Sequence, residues 1–373
     1  MKVAVVWNSE HGRVLALQGQ PCPEKYGRKA VENVADGLRM GGHEVMMLEG
    51  DVTLLDNLRD FFGLDGESWP ADAMVFNMVY GLQGECRYTH IPAMLEMAGI
   101  PYTGSSPLGH ALALDKVVTK VLIESAGLPT PAWMVTSDPG KDSGKLRFPL
   151  IVKPRHESTS FGLRVVRDRK ELSDAIDNIV KTYEQDALVE EFIDGREVCI
   201  GILGNGSSVE TFPIVELTFE GCNLRAFTWE DKMHKRAVEP QRHCPADVPE
   251  PLARRLREIA VGTFQAVHCK DYSRVDIRID DSGSPFVLEI NSMASLGGGA
   301  SYVMAAGAAG YTFSSLVCRI VDVAHQRYVA AQFAGPVARQ ANRANLLCQT
   351  STQTAPSEPQ QSNGLRLREE FAA

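Results

Sequence analysis

Over the first hundred positions, short apolar runs alternate with stretches whose apolar residues recur every three to four. The run Lys2–Trp7 has the length and composition of a buried strand, and residues 27–40 carry helical spacing. Residues 44–48 read as a second strand, with Gly41-Gly42 supplying a left-handed stop before it. Ala73–Asn77 predicts a third strand, and 91–98 a helix ended by Gly99. Such alternation predicts a parallel sheet covered on both faces. Residues 107–127 predict a helix-rich connector closed by Pro129 and Pro131. Beyond it, short strands at 150–153, 163–166, 188–191 and 197–203 surround one helix at 170–183, the pattern of a compact α+β lobe. A third region carries a helix at 250–267, paired strands at Tyr272–Ile279 and 286–290, and a last helix at 312–326.

The fold class expected is therefore α/β with α+β. Residues 1–106 form an N-terminal parallel α/β domain, 107–205 a connector and small central α+β lobe, and 206–331 a C-terminal α+β lobe. Residues 332–373 change character to Gln, Ser, Thr, Ala and Pro without period. That composition buries too little apolar area to offset chain entropy, so a disordered tail is expected there.

Composition narrows the function classes. With 373 residues and 44% hydrophobic content the chain can bury a large core in two or three subdomains. A net charge of −9 argues against a nucleic-acid partner. The opening apolar run is too short for a signal-peptide core, and no run reaches membrane-span length, so a soluble cytoplasmic protein with no membrane partner is expected. The eight cysteines are scattered without a CxxC pair, which reads as buried thiols. His243-Cys244 and His268-Cys269 lack a second pair at zinc spacing.

Several segments carry chemistry. Lys153 ends the apolar run Phe148–Val152, where an ammonium can meet phosphate in a partly dry cleft, although a lysine capping a strand is the plainer reading. The hydroxyl-rich loop 155–162, with Ser158, Thr159 and Ser160, can cradle a triphosphate. Residues 188–197 pair Glu190 with Glu191 before a turn to Glu197; a solvated acidic turn is the rival. The strongest signal is later. Strand alternation puts Arg274 and Asp276 on one face, and Glu289 and Asn291 on one face of the next strand. Adjacent strands would bring Asp276, Glu289 and Asn291 together as an oxygen set for Mg²⁺, with a salt-bridge network as the alternative. Gly297-Gly298-Gly299-Ala300-Ser301 then offers backbone donors before a helix.

In order and spacing, VKP, EEFI-GRE, RVD and EIN resemble the ATP-grasp superfamily. Ile100–Ser105 with Leu114–Lys120 resembles the D-alanine–D-alanine ligase branch, and the likeness runs from Lys2 to about Tyr328. The resemblance implies an ATP-grasp fold and a carboxylate–amine ligase using ATP and two Mg²⁺ ions, with Mn²⁺ a substitute. It implies amino-acid substrates, a homodimer, and a place in peptidoglycan synthesis. By resemblance Lys116, Lys153 and Lys232 contact phosphates, with Thr159 and Ser160 in the phosphate loop. Glu190, Glu191, Phe192 and Ile193 form the adenine edge, and Glu197 meets the ribose. Asp276, Glu289 and Asn291 are the metal ligands, Arg274 steadies the tetrahedral intermediate, and Ser301 lies near the second substrate's carboxylate. Glu10 anchors the first substrate's ammonium, and Gly298 and Gly299 supply backbone donors.

The departures fall at the substrate end. The family's GxxGEDG loop is replaced by the longer Gly81–His90, Met233 stands where a tyrosine follows the mobile-loop lysine, and Thr159 stands at the first serine of SSVG. Lost hydroxyls alter which substrate groups a site discriminates. Two other readings therefore stand beside D-alanyl-D-alanine synthesis. One is a ligase of a specialised pathway using other amino acids or a hydroxy acid; the other is an inactive nucleotide-binding regulator.

Overall fold

In the computed structural model the described residues are 1–9, 14–16, 18, 21–22, 24–63, 72–218 and 241–333. Glu10, Lys232, Met233 and the tail beyond 333 lie outside them. The chain divides into two compact units, Met1–Arg327 and Tyr328–Ala373.

The first unit opens with β1 (Lys2–Trp7), α1 (Arg28–Met40), β2 (Glu44–Glu49), α2 (Leu54–Phe62), β3 (Ala73–Asn77) and α3 (His90–Met97). The three strands form a parallel sheet in the order β2-β1-β3. Val3 to Val6 and Ala73 to Phe76 are buried on both faces, as an unbroken apolar run requires. Helix α2 is absent from the sequence expectation. Its signal was present: Leu54, Leu58, Phe61 and Phe62 form a helical stripe closed by Gly63 at φ 69°.

The connector is two helices, α4 (Pro107–Leu114) and α5 (Lys116–Ser125). Asp115 separates them by accepting hydrogen bonds from the Val117 and Val118 amides, which caps α5 and makes Lys116 its first residue. Four strands follow, β4 (Trp133–Thr136), β5 (Leu150–Pro154), β6 (Arg164–Val166) and β7 (Ala187–Glu191), with α6 (Arg169–Tyr183) between the last two. They pair antiparallel in the order β4-β7-β5-β6. Leu172, Ala175, Ile176 and Ile179 of α6 pack on Leu150, Val152 and Val189.

The larger sheet is built from β8 (Arg196–Leu203), β9 (Glu210–Thr211), β10 (Val215–Thr218), β11 (Gln241–His243), β12 (Tyr272–Ile279) and β13 (Pro285–Asn291), with α7 (Glu250–Ala266) before β12. Its order is β11-β10-β8-β12-β13, with β9 beside β8. One face, carrying Val198, Ile200, Ile202, Val275 and Ile277, packs on Leu256, Ile259, Ala260 and Phe264 of α7. The other face carries Glu197, Cys199, Arg274, Asp276 and Arg278 toward a cavity. Helices α8 (Ser301–Ala308) and α9 (Phe313–Phe333) close the described chain. Among the described residues no single helix is long and apolar enough to cross a membrane.

Strict alternation breaks at one place. The β12–β13 register shifts beyond the Asp276–Glu289 pair, so that Ile277 pairs with Val287. Leu288 is the extra residue. It joins Glu289 in lining the cavity, while Val287 turns into the core. A bulge here re-aims the strand beside the acids.

Candidate active site

A cavity of about 740 Å³ is walled by the four-stranded sheet on one side and by β8, β12 and β13 on the other. Asp276 stands directly opposite Glu289 across the β12–β13 pair, and Arg274 opposite Asn291. All four side chains line the cavity. Arg274 grips Asp276 in a fork, Nε to Oδ1 and Nη2 to Oδ2, both at 2.7 Å. Asn291 Nδ2 donates to Asp276 Oδ2 at 3.0 Å. Burial pushes the Asp276 carboxyl up; Arg274 pulls against it, and Glu289 adds to the rise. For Glu289 burial also works upward, but Lys116, Lys153 and Arg274 outweigh it and hold the carboxyl low.

That donor set fits a hard divalent cation. Two facing carboxylates in one desolvated cleft repel each other, and a cation between them removes the repulsion while an amide oxygen adds a ligand. Among the described residues no group of three or more His, Cys, Asp and Glu could hold a metal unaided. A cation here would take Asp276, Glu289 and Asn291 and complete its shell from a ligand's phosphates or water.

Three lysines approach from the opposite wall. Lys116, at the start of α5, donates to the Glu157 carbonyl and lies 3.8 Å from Glu289 Oε2. Lys153 and Lys120 both pair with Glu190 at 2.5 Å. Glu190 is 2% exposed. Burial alone would raise its pKa, but the two ammonium groups prevail and hold it at about 2. Burial lowers Lys116, whereas for Lys153 the nearby carboxylates overcome burial and raise it. Lys120 also donates to Thr130 Oγ1 at 2.6 Å. Sequence reasoning did not single out Lys120, because nothing local distinguishes a buried lysine on α5 from an exposed one.

At the far end Glu191 is pinned by Arg147, whose Nη2 and Nε reach its two oxygens at 2.9 and 3.1 Å. Both carboxylates of the predicted adenine edge are thus held by protein cations, while Phe192 and Ile193 line the cavity beside them. Ile151, Leu217 and Leu288 complete an apolar slot. Glu197 sits opposite Arg278 in the register and accepts from its Nε at 3.2 Å. Thr159 and Ser160 line the cavity in left-handed backbone, φ 56° and 61°. Two successive non-glycine residues there store strain of about 1–2 kcal/mol each, of a kind that gathers at working loops.

At the remaining end Ser301, Gly298 and Gly299 were expected, whereas Glu24 and the residues around it were not. Glu24 lines the cavity, and its Oε2 accepts hydrogen bonds from Tyr88 Oη at 2.5 Å and from Ser158 Oγ. Tyr80 stacks on Tyr26 at 5.0 Å and lies 5.3 Å from Tyr88. Behind them the buried Arg87 donates to Cys22 Sγ and Glu157. Both Arg87 and Tyr88 come from the longer loop. Ser301 begins α8 at the cavity edge next to Cys199, whose thiol burial pushes up to about 12. Gly298 and Gly299 precede it, with Gly299 at φ 78°. The structure therefore gathers Lys116, Lys153, Thr159, Ser160, Glu190, Glu191, Phe192, Ile193, Glu197, Arg274, Asp276, Glu289, Asn291 and Ser301 on one cavity.

A parallel α/β domain followed by two antiparallel sheets that enclose a lysine- and acid-lined cleft defines an ATP-grasp ligase. The family model described as D-ala D-ala ligase C-terminus matches residues 122–322. The D-alanine–D-alanine ligase of Bordetella pertussis is 31% identical over 324 residues, 84% of this chain and 95% of that protein. An uncharacterized protein, y4sG, of Sinorhizobium fredii is 48% identical over 333 residues, 88% of this chain and 98% of its own. In fold, the chain is similar to the D-alanine–D-alanine ligase from Bacillus anthracis complexed with ATP, at TM-score 0.68 and 20% identity over 87% of this chain and 98% of that one. The chain belongs to the D-alanine–D-alanine ligase family.

Glu190→Gln keeps the shape but leaves the buried Lys120 and Lys153 without the carboxylate both contact. It is expected to cost about 3–5 kcal/mol in urea denaturation at pH 7. Because folding depresses the Glu190 pKa from 4.5 to about 2, its contribution is complete above about pH 4.5 and is lost as pH falls through 2. The gap between variant and wild type should narrow over that window. Equal unfolding midpoints at pH 7 would show that Glu190 does not hold the two lysines.

Proposed function

We propose that this chain is a Mg²⁺- and ATP-dependent ligase, working in the cytoplasm, that joins the carboxylate of one amino acid to the amine of a second through an acyl-phosphate. D-alanyl-D-alanine is the product this reading favours. The observation that carries it is the single cavity in which Lys116, Lys153 and Arg274 face Asp276, Glu289 and Asn291.

On this reading the adenine lies in the slot of Phe192, Ile193, Ile151, Leu217 and Leu288. Glu197 takes a ribose hydroxyl. Lys116 and Lys153 meet the phosphates, with the Thr159–Ser160 loop beside them and Lys232 joining from the segment outside the described residues. When bound between Asp276, Glu289 and Asn291, Mg²⁺ neutralises phosphate charge. The first amino acid's carboxylate attacks the γ-phosphorus and releases ADP; the second amino acid's amine then displaces phosphate, leaving an amide. Arg274 keeps N–H groups beyond the two on Asp276 and can steady the oxyanion of that step. Ser301 and the Gly298–Gly299 amides face the second substrate's carboxylate. The protein mostly positions groups and balances charge.

The ammonium of the first substrate goes to Glu24 rather than Glu10 on this reading. Glu24 is a carboxylate already in the cavity, aimed by two hydroxyl donors and walled by Tyr80, and an aromatic face favours a cation. Ligation of other amino acids, or of a hydroxy acid, in a specialised pathway is the second reading. It is favoured by Tyr88, which brings its hydroxyl to Glu24 from the longer loop.

The direct test is phosphate release from ATP and Mg²⁺ over D- and L-amino acids, singly and in pairs. Release with D-alanine alone supports D-alanyl-D-alanine synthesis, release that needs two different amino acids supports a mixed product, and an enzyme silent toward every amino acid would end the reading. Asp276→Ala and Glu289→Ala should each abolish turnover; ADP formation at the wild-type rate in either removes the cation from those residues. Glu24→Gln should raise KM for the first amino acid at least about tenfold, since a charge-assisted contact contributes about 1.5–3 kcal/mol. ATP affinity should not move, and an unchanged KM would reassign the ammonium site.

A further inference from the structure

Arg278 has no part in the chemistry assigned above, yet it is among the most constrained side chains of the cavity wall. It follows Asp276 by two residues on β12, lies on the same face, and is 3% exposed. Contacts with Glu197, Ile193 and Phe192 hold its guanidinium. Nε donates to Glu197 Oε2 at 3.2 Å, and Nη1 donates to the Ile193 carbonyl at 2.7 Å. The group also lies over the Phe192 ring, 4.8 Å from its centroid. These contacts join the base slot to the predicted ribose acid through one rigid planar group.

A buried guanidinium is a costly way to fill space under a phenyl ring, where an apolar side chain would pack without desolvating a charge. What it adds is direction. Arg278 engages only one oxygen of Glu197, and the other, Oε1, has no hydrogen bond among the described residues. The Glu197 side chain remains 23% exposed on the cavity. A carboxylate with one oxygen clamped and the other presented is an acceptor ready for a hydroxyl. Without the clamp, Glu197 would regain rotamer freedom that binding must then remove.

We propose that Arg278 is a positioning residue that aims Glu197 at a ribose hydroxyl and so makes the site selective for ribonucleoside over deoxyribonucleoside triphosphates. The inference rests on the reading of ATP in this cavity and extends it to the sugar.

The test is calorimetric binding of ATP, 2′-deoxy-ATP and 3′-deoxy-ATP, with Mg²⁺, to wild type, Arg278→Met and Arg278→Lys. Wild type should bind ATP at least about tenfold more tightly than the analogue lacking the recognised hydroxyl. Arg278→Met should weaken ATP while barely moving that analogue, so their ratio falls toward one. Arg278→Lys keeps the charge without the planar group, and its ratio should fall between. A role in packing alone would weaken all three nucleotides alike and preserve the ratio. Should Arg278→Met not fold, the ratio in Arg278→Lys decides. An unchanged ratio in the folded variants, or a wild type indifferent to both hydroxyls, overturns the inference. A wild type that binds none of the three nucleotides overturns the ATP reading and this one with it.

Discussion

The site depends on keeping many charges of both signs in one desolvated cavity without letting them cancel into inert pairs. Lys116, Lys120, Lys153 and Arg274 meet Glu190, Asp276 and Glu289 within a few strand positions of one another. In such surroundings an unpaired charge costs several kcal/mol, so each group must have a counter-charge in the folded protein. Glu190 meets that need for two lysines at once. One acid holding two ammonium groups leaves net positive charge on the phosphate wall, which suits an anion. Across the cavity Asp276 and Glu289 have only Arg274 on their own wall, Lys116 reaching Glu289 from the other side at 3.8 Å, so this wall taken alone is short of positive charge. The two walls are complementary to a phosphate–cation pair placed between them.

Backbone geometry turns that balance into a shape. Strand β8 gives its even positions, Val198, Ile200 and Ile202, to the core, and presents Glu197 and Cys199 to the cavity. The same rule on β12 delivers Arg274, Asp276 and Arg278. On β13 the rule holds for Glu289 and Asn291 and is then broken at Leu288, which puts an apolar side chain against the base slot beside an acid. Asp115 performs the corresponding service for Lys116. By capping α5 it fixes where the helix begins, and Arg155 holds it there at 2.6 and 2.8 Å. An ammonium at the first residue of a helix works against the helix dipole, so its placement needs this anchoring.

The legible parts of the sequence were those in which chemistry and period coincide. Arg274, Asp276, Glu289 and Asn291 could be placed on one face because strand alternation is a local rule and the two strands are nearly consecutive. Lys153 was visible because a charge ends an apolar run. Groups whose partners are distant in the chain were not legible. Glu24 looks like any loop acid until Ser158 and Tyr88, 134 and 64 residues away, converge on it. Glu190 and Glu191 look alike in sequence, yet one neutralises two buried lysines and the other answers a surface arginine. Alternation on β7 separates them, but only tertiary pairing says what each meets. Arg278 was passed over although alternation sets it on the face of Arg274 and Asp276, because its partners Glu197 and Ile193 lie 81 and 85 residues away. Only the pairing of β12 with β8 shows that it meets Glu197.

The two ends of the cavity are built from different materials, and this bears on how such a site can change its substrates. The phosphate end rests on mutually dependent buried charges spread over β5, β7, β12, β13 and α5, where one substitution leaves its partners uncompensated. The amino-acid end rests on hydroxyls and one carboxylate carried by loops: Glu24 before α1, Tyr88 after Gly81, Ser158 after β5. A hydroxyl can be supplied from another loop at little cost, because it needs only reach and a hydrogen bond, whereas a buried ammonium needs a matching acid. The longer Gly81–His90 loop brings the Tyr88 hydroxyl to Glu24, and the ion pair it adds, Arg87 with Glu157, involves none of Glu190, Asp276 and Glu289. Divergence confined to one end of a cavity is what this difference in coupling energy permits.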